Sequence, residues 1–182
     1  MPIKLQEPAV QLSRVHLHLM LNHVPVIGIV FGLFVLLGGV LTRSKPVAIA
    51  GLGLLIFAGL IAIPVYFTGE PAEEMVEGLP GVSEAVIGTH ESAAMVSLVL
   101  AMATGLLAMG TVVLLRTRLV RAQSYLVMAS LLVSMITGIS MIQTANLGGQ
   151  IRHSEIRAAS QPTSSGGERK RTDTRETDDD KD

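Results

Sequence analysis

The feature that most restricts the fold of this chain is a series of four long apolar blocks without internal charge. The blocks span residues 22–41, 46–67, 92–115 and 125–147, and none has an Asp, Glu, Lys or Arg in its interior. Each is close to the ~20 residues with which an α-helix crosses ~30 Å of hydrocarbon. A membrane β-barrel would need alternating strands, which the blocks do not show. The sequence therefore predicts an all-α, polytopic membrane protein with four transmembrane helices.

The connectors between the blocks differ in charge, and this difference predicts an orientation. The two short connectors are basic and carry Arg43, Lys45, Arg116, Arg118 and Arg121. The connector at 68–91 has no Lys or Arg and carries only acidic charge. Because basic loops face the cytoplasm and short connectors join antiparallel neighbours, we expect an up-down-up-down bundle. Its place would be the bacterial cytoplasmic (inner) membrane, with both termini and the 68–91 loop extracytoplasmic.

Charge is scarce in the chain as a whole and dense at its end. Charged residues make up 16% of the 182 residues, below the ~25% of soluble proteins. Residues 158–182 have no large apolar side chain, so we expect a disordered, charged tail. Residues 1–157 are expected to form one transmembrane domain. The chain has no basic segment with interleaved aromatic residues, which argues against nucleic-acid binding.

The absence of cysteine limits the cofactors that the chain can hold. Disulfides, thiolate metal sites, iron–sulfur clusters and covalent c-type haem attachment are excluded. Imidazole is then the main candidate ligand. The histidines are His16, His18, His23, His90 and His153. The predicted topology brings all five to one face of the membrane, and histidine beside transmembrane segments indicates a functional site.

Small and polar side chains recur at helical spacing in the third and fourth blocks. In the third block the stripe runs through His90, Ala94, Ser97, Ala101, Thr104 and Ala108. In the fourth it runs through Ser130, Ser134, Thr137, Met141, Thr144 and Gly148. Small residues let membrane helices approach closely, so we expect these two stripes to face each other. His90 would then point along the interior of the bundle.

Two ligand sets fit the histidines. His23 and His90, on diagonally opposed helices, would supply the two axial ligands of a b-type haem. A transition-metal site would instead draw on His23, His90, His153, Glu70 and Glu91. His16 and His18 are expected to matter less and to lie on a surface element. No catalytic residue is assigned, and a structural hydrogen-bonding role stays open for each histidine taken alone.

Four motifs carry a resemblance to a known group of proteins. They are LNHVPVIG, TGEPAEE, THES and GGQIRHSEIR, between about Leu17 and Arg157. They resemble a family of uncharacterised bacterial inner-membrane proteins with four helices and a domain of unknown function. The resemblance implies the same topology and brings no established activity. The signature positions that it implies are His23, Glu70, Glu73, His90, Arg152 and His153.

Three functions follow from these predictions. The first is a small redox or metal-binding membrane protein, such as a haem b carrier or a respiratory accessory. The second is a non-catalytic structural or assembly subunit of a larger membrane complex or a homo-oligomer. The third is a membrane-embedded metal hydrolase, which is disfavoured because no HExxH pair is present. We therefore expect a lipid-embedded protein that is not an enzyme.

Overall fold

The computed structural model describes residues 13–117, 119–153 and 155–157, and these residues are helical with no strand. The helices are α1 (Arg14–Leu21), α2 (His23–Leu41), α3 (Lys45–Phe67), α4 (Gly69–Glu74), α5 (Glu84–Leu114) and α6 (Val120–Arg152). Four helical stretches are long and apolar enough to cross a membrane. The all-α fold with four candidate spans is therefore confirmed. The tail predicted at 158–182 lies outside the described residues.

The four long helices form one bundle. α2 packs on α3 and α6, and α5 packs on the same two helices. α2 and α5 are therefore diagonal to each other. The core between the helices is built from small and aliphatic residues, among them Ile29, Leu36, Leu55 and Ala101, all fully buried.

Glycine lets α2 and α3 approach almost to backbone contact. A Cβ atom at Gly51 would lie 2.4 Å from the backbone nitrogen of Leu36. A Cβ atom at Gly39 would lie 2.4 Å from the backbone nitrogen of Ala48. No side chain fits at either position, so this hairpin depends on glycine for its interhelical distance.

A polar seam joins α5 to α6. Its hydroxyl pairs are Ser97–Ser140 (2.7 Å), Thr104–Thr137 (2.7 Å) and Thr111–Ser130 (3.1 Å). Each hydroxyl has one proton, so in each of the last two pairs one hydroxyl donates to the other, which accepts it and donates its own proton to a carbonyl of its own helix. The prediction that the polar stripes of the third and fourth blocks face each other is confirmed.

The outer surface of the bundle is strongly apolar. Side chains that are more than half exposed include Phe31, Phe34, Leu106, Val113, Leu132 and Ile139. Soluble monomers rarely expose an apolar surface that continues around the whole molecule. The surface is compatible with a membrane protein, whose helices bury their apolar side chains in lipid.

The helices extend beyond the predicted blocks at one end of the bundle. α5 begins at Glu84 rather than at residue 92, and α6 continues to Arg152 rather than ending at residue 147. With 31 and 33 residues, these helices are about 46 and 50 Å long, well above ~30 Å of hydrocarbon. Their polar ends meet two short helices that the sequence did not predict, α1 and α4.

Candidate functional site: a histidine cap on the bundle

One end of the bundle is covered by polar segments that we call the histidine cap. The cap consists of α1, α4, residues 84–92 of α5 and residues 144–153 at the end of α6. α1 contacts α4 and the end of α3. All five histidines lie in the cap or, for His23, directly after α1. The prediction that they gather at one end of the bundle is confirmed.

A proline accounts for the break between α1 and α2. Pro25 has no backbone N–H, so the carbonyl of Leu21 loses its helical partner, and the proline ring crowds that carbonyl. α1 ends at Leu21, and Asn22 separates it from α2. At the other end, the Ser13 hydroxyl accepts a hydrogen bond from the backbone N–H of His16 and caps α1 (3.3 Å). α1 can therefore dock on the end of α3.

His18 is anchored to the end of α3. Its half-buried ring donates from Nδ1 to the carbonyl oxygen of Val65 (3.0 Å) and lies 3.3 Å from the Thr68 hydroxyl. Thr68 is buried, and its hydroxyl donates to the carbonyl of Pro64 (2.8 Å), so it can accept from His18. The ring also packs against Gly69, where a Cβ atom would make an ordinary van der Waals contact of 3.5 Å with the imidazole Cε1.

His90 is anchored in the same manner to α6. The half-buried ring donates from Nδ1 to the carbonyl oxygen of Thr144 (3.0 Å). The ring packs against Gly148, where a Cβ atom would lie 3.0 Å from the imidazole Cε1. Any larger residue at position 148 would displace the ring. His90 therefore contacts α6 as a half-buried residue, and its direction along the interior of the bundle stays a prediction.

The two anchored imidazoles have the same chemistry. Because Nδ1 of His18 and of His90 donates to a carbonyl, the lone pair of each neutral ring is on Nε2. A backbone carbonyl behind the imidazole is the usual support of a metal-binding histidine. The two rings are also close enough to interact electrostatically. The cap therefore presents two neighbouring Lewis bases.

A buried amide oxygen lies one helical turn from His18. Oδ1 of Asn22 is buried and has no hydrogen-bond partner among the described residues. Positions 18 and 22 share one helical face, and the Asn22 backbone N–H donates to the His18 carbonyl (2.8 Å). Leaving such an acceptor unpaired costs about 1–3 kcal/mol, so it indicates a place for a donor or a cation.

Glu73 on α4 is the acid that the cap perturbs most clearly. Burial raises the pKa of its carboxyl group, and repulsion from Glu91, Glu70 and Glu77 raises it further. None of the causes of this pKa shift is a basic residue, so the repulsion among the carboxylates is not offset. Glu73 therefore keeps its proton to a higher pH than an ordinary glutamate.

Most residues of the predicted metal set lie on the surface. The exposed members are His23, His153, Glu70 and Glu91. His153 hydrogen bonds to the Glu155 carboxylate (2.8 Å). The pKa of that carboxyl is lowered by a hydrogen bond from the Glu155 backbone N–H and by this contact with His153. His16 is also exposed and pairs with the Ser13 hydroxyl (2.8 Å). Within the described part of the chain, no three or more His, Asp or Glu side chains are grouped so as to hold a metal ion.

His18, rather than His23, is the half-buried histidine of the first segment, and it is anchored by a backbone carbonyl as His90 is. The sequence contains a signal for this that the block analysis missed. The inward-facing stripe of α2 runs through Pro25, Ile29, Gly32, Leu36 and Gly39. Its alternating steps of three and four, continued backwards, reach Asn22 and His18 and pass by His23. The turns before Asn22 mix apolar residues with Arg14, His16 and His18, so they do not continue the uncharged apolar block that marks α2.

Comparisons with protein-family models, with curated proteins and with solved structures find no match for this chain. The resemblance of the four motifs to a family of inner-membrane proteins therefore stays a prediction. The argument for function depends on the geometry of the histidine cap.

Proposed function

We propose that this chain is a multi-pass inner-membrane protein whose histidine cap binds a transition-metal ion through His18 and His90. The observation that carries the proposal is the matched anchoring of the two rings. Each half-buried imidazole donates from Nδ1 to a backbone carbonyl, and its Nε2 has no hydrogen-bond partner among the described residues. The protein would serve a redox or accessory role, with no catalytic residue of its own assigned.

Membrane insertion is supported by the surface and by the charges at the two ends. The outer face of the bundle is apolar, and four stretches are long enough to span a bilayer. The basic connectors lie at the end opposite the cap. In an up-down-up-down bundle the basic end would face the cytoplasm and the cap would be extracytoplasmic.

Neutral imidazoles favour a late transition metal over calcium or magnesium, which take oxygen ligands. Asn22 is the candidate for a third donor atom, because its amide oxygen is buried without a hydrogen-bond partner among the described residues and lies four positions after His18. Water or a partner molecule would complete the coordination. His23, expected as the haem partner of His90, has an exposed side chain, which favours His18 in any two-histidine site.

The test is elemental analysis and an optical spectrum of protein purified in detergent from cells grown with added copper and zinc. We expect about one metal ion per chain, because two imidazoles and one amide oxygen make one site. His18→Ala and His90→Ala should each lower the metal affinity at least about tenfold. His16→Ala is the matched control, since His16 is on the same helix and is exposed.

Glycine variants test the positioning of His90 without removing a ligand. Gly148→Ala places a Cβ atom 3.0 Å from the ring and should weaken metal binding by about tenfold or more. Gly149→Ala is its control, because nothing lies within 4 Å of a Cβ atom there. A folded, colourless, metal-free wild-type protein would overturn the proposal and favour an assembly subunit. If the wild-type protein showed haem absorbance and both histidine variants lost it, the proposed metal ion would be wrong and the ligand would be haem b.

A further inference from the structure

A groove lies at the end of the bundle opposite the histidine cap, between the α2–α3 turn and the start of α6. Its volume is about 340 Å³. Both basic and apolar residues line it, including Arg43, Lys45, Val40, Val127 and Met128. We call it the basic groove. Neither the metal proposal nor the polar seam uses it.

Arg43 is held at the groove in a conformation that favours glycine. Its φ angle is +52°, in the left-handed region. The backbone N–H of Arg43 donates to the Val40 carbonyl (3.2 Å), and that of Ser44 donates to the Gly39 carbonyl (2.9 Å). These are the two hydrogen bonds of a Schellman turn. Glycine normally occupies this position because a side chain there is strained. The turn therefore fixes an arginine at the groove at a conformational cost.

Lys45 spans the groove to the end of α5. Its ammonium group donates to the carbonyl oxygen of Leu115, the C-cap residue of α5. Gln123 caps the same helix end by donating to the Leu114 carbonyl (3.2 Å). One of the three ammonium N–H groups of Lys45 is used in this way, and two are left for another acceptor. These hydrogen bonds hold the wall of the groove in place. Because the acceptor carbonyls are uncharged, they do not neutralise the positive charge of Lys45.

No carboxylate offsets this charge. The α2–α3 turn and the connector between α5 and α6 contain no Asp or Glu. The Arg43 side chain makes no hydrogen bond or ion pair with the residues that the structure describes. Arg43 and Lys45 are both exposed, so these cations at the groove are open to an anionic ligand.

We propose that the basic groove binds the headgroup of an anionic phospholipid. The Arg43 guanidinium and the Lys45 ammonium would contact the phosphate, and Val40, Val127 and Met128 would contact the first part of an acyl chain. A free phosphate ion would contact only the cations of the groove, whereas a phospholipid would contact both the cations and the apolar residues. This inference rests on the proposed membrane insertion and does not depend on metal binding at the cap.

The experiment is a titration of the purified protein, in a non-ionic detergent, with short-chain phosphatidylglycerol or phosphatidylcholine, read by native mass spectrometry. We expect phosphatidylglycerol to bind and phosphatidylcholine to bind much more weakly. Arg43→Gln should weaken phosphatidylglycerol binding about fivefold, the contribution of one basic residue near anionic lipid. Arg116→Gln, which removes an exposed charge outside the groove, should change it less than about twofold.

Arg43→Gly separates lipid binding from folding. It relieves the left-handed strain, so the variant should be at least as stable as the wild type while losing phosphatidylglycerol. Equal losses in Arg43→Gln and Arg116→Gln would overturn the proposal, and so would equal binding of the two lipids. Displacement of the lipid by millimolar inorganic phosphate would assign the groove to a free anion and overturn it as well. Metal content at the cap should not change in any of these variants.

Discussion

At the scale of single residues, two carbonyl groups fix the chemistry of the cap. The carbonyls of Val65 and Thr144 each accept the Nδ1 proton of a histidine. A carbonyl cannot donate, so the acceptor nitrogen of each ring is forced to be Nε2. His18 and the exposed His16 carry the same imidazole. They differ in the group that hydrogen bonds to Nδ1, which is a backbone carbonyl for His18 and the Ser13 hydroxyl for His16.

The raised pKa of Glu73 predicts the pH dependence of stability. The folded protein protonates this carboxyl at a pH above its ordinary value of 4.5, so the folded state binds more protons than the unfolded state in that window. Stability should therefore fall as the pH rises from 4.5 through the raised pKa. Glu73→Gln should flatten this dependence and stabilise the protein at pH 7 by up to about 1 kcal/mol, a small value because the group is partly solvated.

The measurement is the thermal midpoint of the purified protein between pH 4.5 and pH 8. Glu74→Gln is the control, because Glu74 is the neighbouring residue on α4 and is exposed. A Glu73→Gln protein that loses stability at pH 7, or that keeps the slope of the wild type, would contradict the assigned cause.

The position of His18 shows where prediction from the sequence ends at this scale. Counting charges and histidines predicted which end of the bundle gathers the histidines, and helical spacing predicted that His90 contacts a neighbouring helix, as it does through Thr144. The choice of His23 did not anticipate that its side chain is exposed. The phase of the helical turns before Pro25 decides which histidine faces α3. A hydrogen bond such as His18 to Val65 joins residues 47 positions apart, and no local pattern encodes it.

At the scale of helices, the apolar blocks predicted the membrane-spanning parts and missed their polar extensions. α2 and α3 begin and end within a residue of their blocks, because the turn with Arg43 separates them and Pro25 marks the start of α2. The first two turns of α5 interrupt a short apolar run with Glu84, Gly88, Thr89 and His90, so they do not read as part of an apolar block, and the helix there is stabilised by packing on α6. α4 is six residues long, too short for a periodic pattern.

The α2–α3 hairpin gives a prediction about packing. Gly51→Ala puts a Cβ atom 2.4 Å from the Leu36 backbone nitrogen, and backbone cannot move aside as a flexible side chain can. We expect a loss of about 1–3 kcal/mol in the free energy of unfolding, typical of overpacking. Gly53→Ala, two residues away with nothing within 4 Å, should be neutral or stabilising because alanine favours the helix.

Chemical unfolding in mixed detergent micelles would compare the two alanine variants under one set of conditions. Equal stability of Gly51→Ala and Gly53→Ala would contradict the close approach of α2 and α3. A loss in both variants would indicate that lipid-facing glycines also matter.

At the scale of the whole molecule, the two ends of the bundle have opposite chemistry. The cap holds the histidines and the acidic residues of α4 and early α5, and the other end holds the unpaired cations of the basic groove. Across a bilayer this asymmetry would place neutral imidazoles outside and arginine beside anionic lipid inside. The orientation of the bundle is therefore the assumption that links the two proposals.

Single cysteines test this orientation directly, because the natural chain has none. Glu77→Cys lies beyond α4 at the cap, and Thr42→Cys lies in the α2–α3 turn; both positions are exposed. In intact cells, a membrane-impermeant maleimide should label Glu77→Cys and should label Thr42→Cys only after the membrane is permeabilised. The reversed pattern would put the cap in the cytoplasm, where thiols and glutathione compete for a late transition metal. Labelling of both positions in intact cells would contradict a bundle that spans the membrane.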